Sequence, residues 1–335
     1  MNIGVIGCGY WGPNLIRNFN AMEDVTVAAV ADKKEERLSF IAKQFPAIKK
    51  LTTNEDELLT ADDIDAIVVC TPVSSHFPIG KKALENGKHL LMEKPFTATV
   101  REAEILIELA EKKKLIVMVD HTFIYTGAVQ TIKEYIKSGK LGELYYFDSV
   151  RVNLGLFQHD VNVIWDLAPH DVSIMEYLLD KNPKAISATG VAHFDSNMEN
   201  IAYISTYYDN NIMGHIHVNW LAPVKVRKTL ISGSKKMIIY DDMEPSEKVK
   251  IYDKGVDIST DKEQIYNMLI QYRTGDMLAP QIDLTEALKK VSQEFYQAVK
   301  ENRKPLTDGH SGLRVVRILE AANQSIRSNG KVVEL

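Results

Sequence analysis

Lys94, Asp166 and His170 are residues of the types that move protons and stabilise charge, and each stands in a context that a ligand can exploit. Glu93-Lys94-Pro95 follows an apolar run that reads as a strand, at the sheet edge where doubly wound folds bind ligands. A lysine there can stabilise a developing alkoxide. Asp166-x-x-x-His170 places a carboxylate and an imidazole four residues apart, so on a helix both share one face and can converge on one substrate. Pro169 is compatible with a helix that begins near Asp166, because first-turn N–H groups need no internal partner.

A second constellation is suited to phosphate. Gly7-x-Gly9-x-x-Gly12 lies between a β-branched strand and a segment of helical spacing. Gly7 permits a tight turn, Gly9 lets a pyrophosphate approach the backbone, and Gly12 allows close helix–strand packing. The helix N-terminus supplies free N–H donors and a positive dipole end. Asp32 ends the next strand, where it can bond the adenosine ribose hydroxyls and repel the extra phosphate of NADP. NAD is therefore favoured over NADP, although Lys33 and Lys34 supply neighbouring cations.

The elements that position these residues follow from periodicity. Strands are predicted at Asn2–Ile6, Val25–Ala31, Asp65–Cys70, Lys88–Met92 and Leu115–Val119, separated by helical segments. One helix opens with the capping box Thr99-Val100-Arg101-Glu102, and another ends at Gly87. This is the pattern of a parallel sheet with right-handed crossovers, an α/β doubly wound domain over residues 1–120. Residues 121–335 read as an α+β domain. Helices over Val129–Lys137 and Leu167–Leu179 accompany strands at Leu144–Val152, Ala185–Val191, Ala202–Tyr208, Ile212–Trp220, Lys228–Ser232 and Met237–Tyr240. Short links predict a mostly antiparallel, open-faced sheet. Helices near Thr285–Lys300 and Leu313–Ser328 close the chain, and Lys248–Pro280 reads only as loop with uncertain pieces.

Composition sets the outer bounds. The 335 residues carry 40 basic and 45 acidic side chains, a net charge of −5, which lacks the global basic charge expected of a nucleic-acid binder. No apolar run reaches the ~18–20 residues of a membrane span, and no basic leader precedes the first strand. Two cysteines, Cys8 and Cys70, fit a reducing, cytoplasmic compartment and read as small buried residues. His215 and His217 alternate onto one strand face with no evident third ligand, so no metal is expected.

Taken in order, Gly7-x-Gly9-x-x-Gly12, Thr71-Pro72-x-x-x-His76, the run Asn86-Gly87-Lys88-His89 through Glu93-Lys94-Pro95, and Asp166-x-x-x-His170 resemble the glucose–fructose oxidoreductase / inositol dehydrogenase / rhizopine catabolism (Gfo/Idh/MocA) family of sugar oxidoreductases over nearly the whole chain. The resemblance implies an N-terminal Rossmann domain that binds NAD, with Tyr10, Trp11, Thr71, Pro72, His76 and Glu93 joining the glycines, Asp32 and Lys94 around the cofactor. It also implies that Lys94 contacts the reacting hydroxyl and the nicotinamide ribose, that His170 is the general base, that Asp166 orients it, and that the Lys94–Pro95 peptide is cis. The activity implied is dehydrogenation of a CH–OH donor.

His121-Thr122-Phe123-x-Tyr125 resembles the family's substrate-facing segment, with Ile124 where an arginine is usual. Arg151, Asn153, His159 and Asn162 precede the catalytic helix and either line a sugar site or are exposed loop polarity. Trp220 and Lys225-x-Arg227 suit an anionic substrate or a subunit contact equally. The sequence is most similar to branches that act on nucleotide-linked amino sugars or uronates. The alternatives are an inositol or free-sugar dehydrogenase and a non-catalytic NAD-binding regulator. A homodimer or homotetramer is expected, because a sheet covered on one side leaves apolar side chains in need of a partner.

Overall fold

The computed structural model describes residues 1–155, 160–194, 198–258 and 270–335, and the chain divides into two compact units. The first comprises Met1–Tyr125 and Thr285–Glu320. Its strands are β1 (Asn2–Ile6), β2 (Thr26–Ala31), β3 (Lys50–Thr52), β4 (Ala66–Val69), β5 (His89–Glu93) and β6 (Val117–Asp120). All pair in parallel, in the order β3-β2-β1-β4-β5-β6. The helices between them are α1 (Gly12–Asn20), α2 (Glu35–Gln44), α3 (Asp56–Leu59), α4 (His76–Glu85) and α5 (Val100–Lys113). Strand residues such as Ile3, Val5, Ile67, Val68, Leu90 and Leu91 have no exposed surface, as expected of a sheet covered on both faces.

The doubly wound expectation holds, with one strand more than periodicity gave. β3 is three residues long and too short to show a period. The capping box forms as expected: Glu102 N–H donates to Thr99 Oγ1 at 3.2 Å. Gly87, at φ +76°, follows the end of α4 in the left-handed conformation that a helix stop requires.

The division of the chain at residue 120 needs correction, because Thr285–Glu320 belongs to the first unit and not to the second. This segment holds α8 (Ala287–Glu301) and most of α9 (Gly309–Arg327). Phe295 of α8 meets Phe19 of α1 edge-on, ring centroids 6.3 Å apart, and both are fully buried. An apolar helix face does not encode which sheet it will cover.

The second unit comprises Thr126–Leu284 and Ala321–Leu335. It carries α6 (Gly127–Lys137), β7 (Leu144–Leu154), α7 (Val163–Leu179), β8 (Ala185–Val191), β9 (Ile201–Tyr207), β10 (Met213–Asn219), β11 (Leu221–Gly233), β12 (Met237–Asp241), β13 (Val249–Ile258), β14 (Ile270–Leu278) and β15 (Val333–Glu334). The strand order is β14-β13-β12-β11-β7-β10-β9-β8-β15, with every pair antiparallel except β7–β10. Burial alternates along β10: Gly214, Ile216 and Val218 face inward on the side of α7, whereas Met213, His215 and His217 face outward. β13 and β14 lie within Lys248–Pro280, the stretch expected to be loop with uncertain pieces, and residues 259–269 of it lie outside the described residues.

α7 begins a turn earlier than expected. Asn162 caps it by accepting Trp165 N–H on its side-chain oxygen at 3.3 Å, so Pro169 lies inside the helix, beyond its first turn.

Candidate active site

At the C-terminal end of β1 the chain turns through Gly7 at φ +98°, where a Cβ would stand 2.6 Å from the carbonyl oxygen of Cys70. A Cβ on Gly12 would stand 2.1 Å from the carbonyl oxygen of Gly7, so both positions exclude any larger residue. Gly9 differs: its nearest neighbour would be Arg37 Nη1 at 3.9 Å, leaving its backbone open to a ligand. Tyr10 and Trp11 stand exposed beside it in an edge-to-face pair, centroids 5.0 Å apart. α1 then starts with its N-terminal amides at this loop.

Asp32, just beyond β2, is buried, and both its oxygens are engaged. Oδ2 accepts Cys8 N–H at 2.6 Å and Arg37 Nη1 at 3.3 Å, while Oδ1 accepts Lys34 N–H at 2.9 Å. Asp32 lines a cavity of about 280 Å³ together with Gly7, Lys33, Arg37, Thr71 and Pro72. An open glycine backbone, a helix N-terminus and a buried acid in a cavity wall fit the pyrophosphate and ribose of NAD. Arg37 was not singled out in the sequence; its spacing from Asp32 gave no sign that it would reach back to that carboxylate.

His76 sits differently from the other cofactor-loop residues. It is 1% exposed, and its two ring nitrogens lie 2.8 Å from the Thr71 carbonyl and 2.9 Å from the Pro95 carbonyl. It braces one ligand-edge loop against the other, and burial holds its pKa below the ordinary histidine value. The Lys94–Pro95 peptide it braces is cis. Cys8 and Cys70 are free thiols; burial, reinforced by Asp32, pushes Cys8 up to about 12, so it stays protonated.

The ends of β5 and β6 carry Glu93, Lys94, Asp120 and His121. Burial, then the charges of Lys94 and Arg314, push His121 down to about 3, so its imidazole is neutral. Neither of its ring nitrogens has a hydrogen-bond partner among the described residues. Tyr125 is turned inward, its hydroxyl 2.9 Å from Thr307 Oγ1.

In the second unit, Asp166 lies on the first turns of α7, and its Oδ2 accepts the indole N–H of Trp220 at 3.0 Å. His170 follows one turn later on the same helix and is partly exposed. Arg151 is not placed as a surface residue: its Nε donates to Asp171 Oδ2 at 2.5 Å and its Nη2 to Oδ1 at 3.4 Å, both side chains are 4% exposed, and Ser149 Oγ adds a third bond to Asp171 at 2.6 Å. Asn162 is likewise committed, capping α7 and donating from Nδ2 to Glu199 at 2.7 Å and Asn323 at 3.0 Å. Asn153 is half-buried near the end of β7, and His159 lies outside the described residues. Arg227 pairs with Asp242 at 3.1 Å, and Lys225 is exposed.

His215 and His217 stack on Tyr203, with His217 the closer at 4.3 Å between centroids, and His215 Nδ1 lies 3.2 Å from Asp148. No group of three metal-ligating side chains occurs among the described residues. No helix among them is long and apolar enough to cross a membrane.

Comparison with known proteins decides the family. Residues 1–121 match the model of the Gfo/Idh/MocA oxidoreductase family's NAD-binding Rossmann fold, and residues 129–239 match that of the Gfo/Idh/MocA C-terminal domain. The chain belongs to the Gfo/Idh/MocA family. It is similar to the UDP-N-acetylglucosamine 3-dehydrogenase of Acidithiobacillus ferrooxidans, 26% identical over 94% of each chain. It is also similar to the myo-inositol 2-dehydrogenase of Thermotoga maritima, 22% identical over 99% of this chain and 98% of that one. Among solved structures, an oxidoreductase from Agrobacterium radiobacter in complex with NAD+, L-tartaric acid and magnesium superposes with a TM-score of 0.82 at 18% identity, covering 100% and 98% of the two chains. This Gfo/Idh/MocA protein is accordingly an NAD-dependent oxidoreductase of the sugar-dehydrogenase type.

Proposed function

We propose that the protein transfers hydride between a secondary alcohol of a nucleotide-linked amino sugar and NAD, with UDP-N-acetylglucosamine as the nearest substrate. The observation that carries this reading is the full-length similarity to the A. ferrooxidans enzyme, which spans both units. The bound nicotinamide supplies the hydride acceptor. Asp32 holds the adenosine ribose, and the open backbone at Gly9 admits the pyrophosphate. His170 takes the hydroxyl proton as general base. Asp166 favours the resulting imidazolium electrostatically, and Lys94 offsets the charge that develops on the alcohol oxygen. In the reductive direction the same groups return the proton to a ketone.

The test is NADH formation by the purified chain with UDP-N-acetylglucosamine, UDP-glucuronate, myo-inositol and free glucose offered separately. Turnover of UDP-N-acetylglucosamine supports the proposal, turnover of UDP-glucuronate alone moves it to a uronate, and turnover of myo-inositol or glucose alone replaces it with an inositol or free-sugar reading. The outward-facing aromatics Tyr203 and Tyr207 also favour pairing of two sheets in a homodimer or homotetramer, measured as mass by light scattering.

A further inference from the structure

We propose that Glu93 and Asp120 hold a single proton between their buried carboxyl groups, and that this pair positions Lys94. The residues are register partners at the ends of the neighbouring parallel strands β5 and β6, so their side chains leave the sheet on the same side. Glu93 is 7% exposed and Asp120 1%. Two carboxylates cannot both remain ionised in such a place, since burial and mutual repulsion each disfavour the second charge.

The hydrogen-bond pattern locates the proton. Asp120 Oδ1 accepts the Thr122 hydroxyl at 2.7 Å. Its Oδ2, also buried, meets no N–H or hydroxyl donor among the described residues. The Glu93 carboxyl interacts with the Asp120 carboxyl, and it is an acceptor when ionised and a donor only when protonated. One shared proton satisfies the orphaned oxygen and halves the buried charge. Both groups sit above their ordinary range, with burial the leading cause in each.

The surroundings favour the singly protonated state. Lys94 contributes positive charge beside the pair, which retains one negative charge against it. The Cys70 thiol at the end of β4 is neutral, raised by burial and then by the two carboxyls themselves. His121 is neutral; among the described residues Arg314 of α9 acts on His121, and Glu294 of α8, paired with Arg303, acts on Tyr125.

Glu93 Oε2 also accepts the backbone N–H of Lys94 at 3.2 Å. Thr122, Asp120, Glu93 and Lys94 therefore form a hydrogen-bonded chain across the ends of two strands. The chain fixes the peptide that carries the lysine. Glu93 and Asp120 act through Lys94 and are positioning residues.

The positioning half rests on the reading that Lys94 meets the nicotinamide ribose; the shared proton does not. Infrared difference spectroscopy of the full chain at pH 7 is expected to show a protonated carboxyl band that disappears in Asp120→Asn, where the amide replaces the proton as donor to Glu93. A wild type without that band at pH 7 overturns the shared proton. NAD affinity, measured by titration calorimetry, is expected to fall about tenfold in Asp120→Leu and to stay within about threefold in Asp120→Asn. Lys94→Ala is the control. If it weakens NAD and Asp120→Leu does not, the positioning role is wrong. If it leaves NAD affinity unchanged, the reading of Lys94 itself fails while the infrared result still decides the proton. Should Asp120→Leu not fold, Asp120→Ala is measured in its place, with the same tenfold loss expected.

Discussion

Trp220 donates its indole N–H to the carboxylate of Asp166 across 3.0 Å, from a ring that is 1% exposed. The ring is locked by packing, so it fixes one oxygen of Asp166 in direction. A carboxylate held in this way can orient a histidine one helical turn away without itself searching rotamers. Trp220→Phe keeps most of the buried volume and removes only the donor. Losing a hydrogen bond to a charged group costs about 1.5–3 kcal/mol, so turnover should fall roughly ten- to a hundredfold. NAD affinity should be unchanged. Native kcat in the Trp220→Phe variant would mean that Asp166 needs no such support.

The proposed catalytic pair, Asp166 and His170, has its own signature. His170→Ala should lower kcat by about 10²–10⁴-fold, the usual range for a positioned base. Asp166→Asn should be milder and should shift the pH at which the base titrates downward, because it removes a charge that favours imidazolium. NAD binding should be close to native in both variants, and that separates lost chemistry from damaged folding. Near-native turnover by His170→Ala on the true substrate would place the base elsewhere.

Much of the fold was legible in the sequence because it depends on local rules. A glycine turn between a strand and a helix, a capping box and an i, i+4 pair each need only neighbours a few residues away. What stayed hidden depends on distant partners. Tyr125, Arg151 and Asn162 have side chains equally suited to a sugar, yet Thr307, Asp171 and Glu199 take their polar atoms. Trp220 lies 54 positions from Asp166, and no spacing in the sequence announces the bond. β3 and the return of Thr285–Glu320 to the first unit were missed for the same reason: a three-residue strand and an amphipathic helix both take their place from tertiary packing.

Cofactor choice should turn on Asp32. Its carboxylate repels a 2′-phosphate, so the wild type should bind NAD more tightly than NADP. Asp32→Ala should narrow that gap by leaving Lys33 and Arg37 in the same cavity wall without the opposing charge. Dissociation constants for both cofactors, measured by quenching of protein fluorescence, check it. Equal affinity for the two in the wild type would contradict the assignment.

Arg151 should prove structural. Its ion pair with Asp171 is buried on both sides, and truncating Arg151 leaves the Asp171 carboxylate a buried charge with no cation against it. Arg151→Met should destabilise the protein by about 3–5 kcal/mol, seen as an earlier urea midpoint. If the variant keeps wild-type stability and instead loses only sugar affinity, Arg151 belongs to the substrate site after all.

The acid side of the stability profile should report His121. Its folded pKa, near 3, lies well below the ~6.5 of an unfolded histidine. Between those values the unfolded chain binds a proton that the native state refuses, so stability rises with pH across this window and falls as pH drops from about 6.5 towards 3. Each pH unit within it is worth up to about 1.4 kcal/mol for one such group. His76 and His89, also lowered by burial, act in the same direction. Carboxyl groups raised by burial, such as Glu93, act oppositely: they favour the native state at low pH and lose that contribution as pH rises from about 4 through their folded pKa. His121→Leu removes one refusing imidazole. Its unfolding free energy should therefore fall less steeply than that of the wild type between pH 6.5 and 4.5, with Asp120 and Glu93 unchanged in both proteins. Parallel slopes in a series of urea titrations over that range would show that His121 accepts a proton in the folded state.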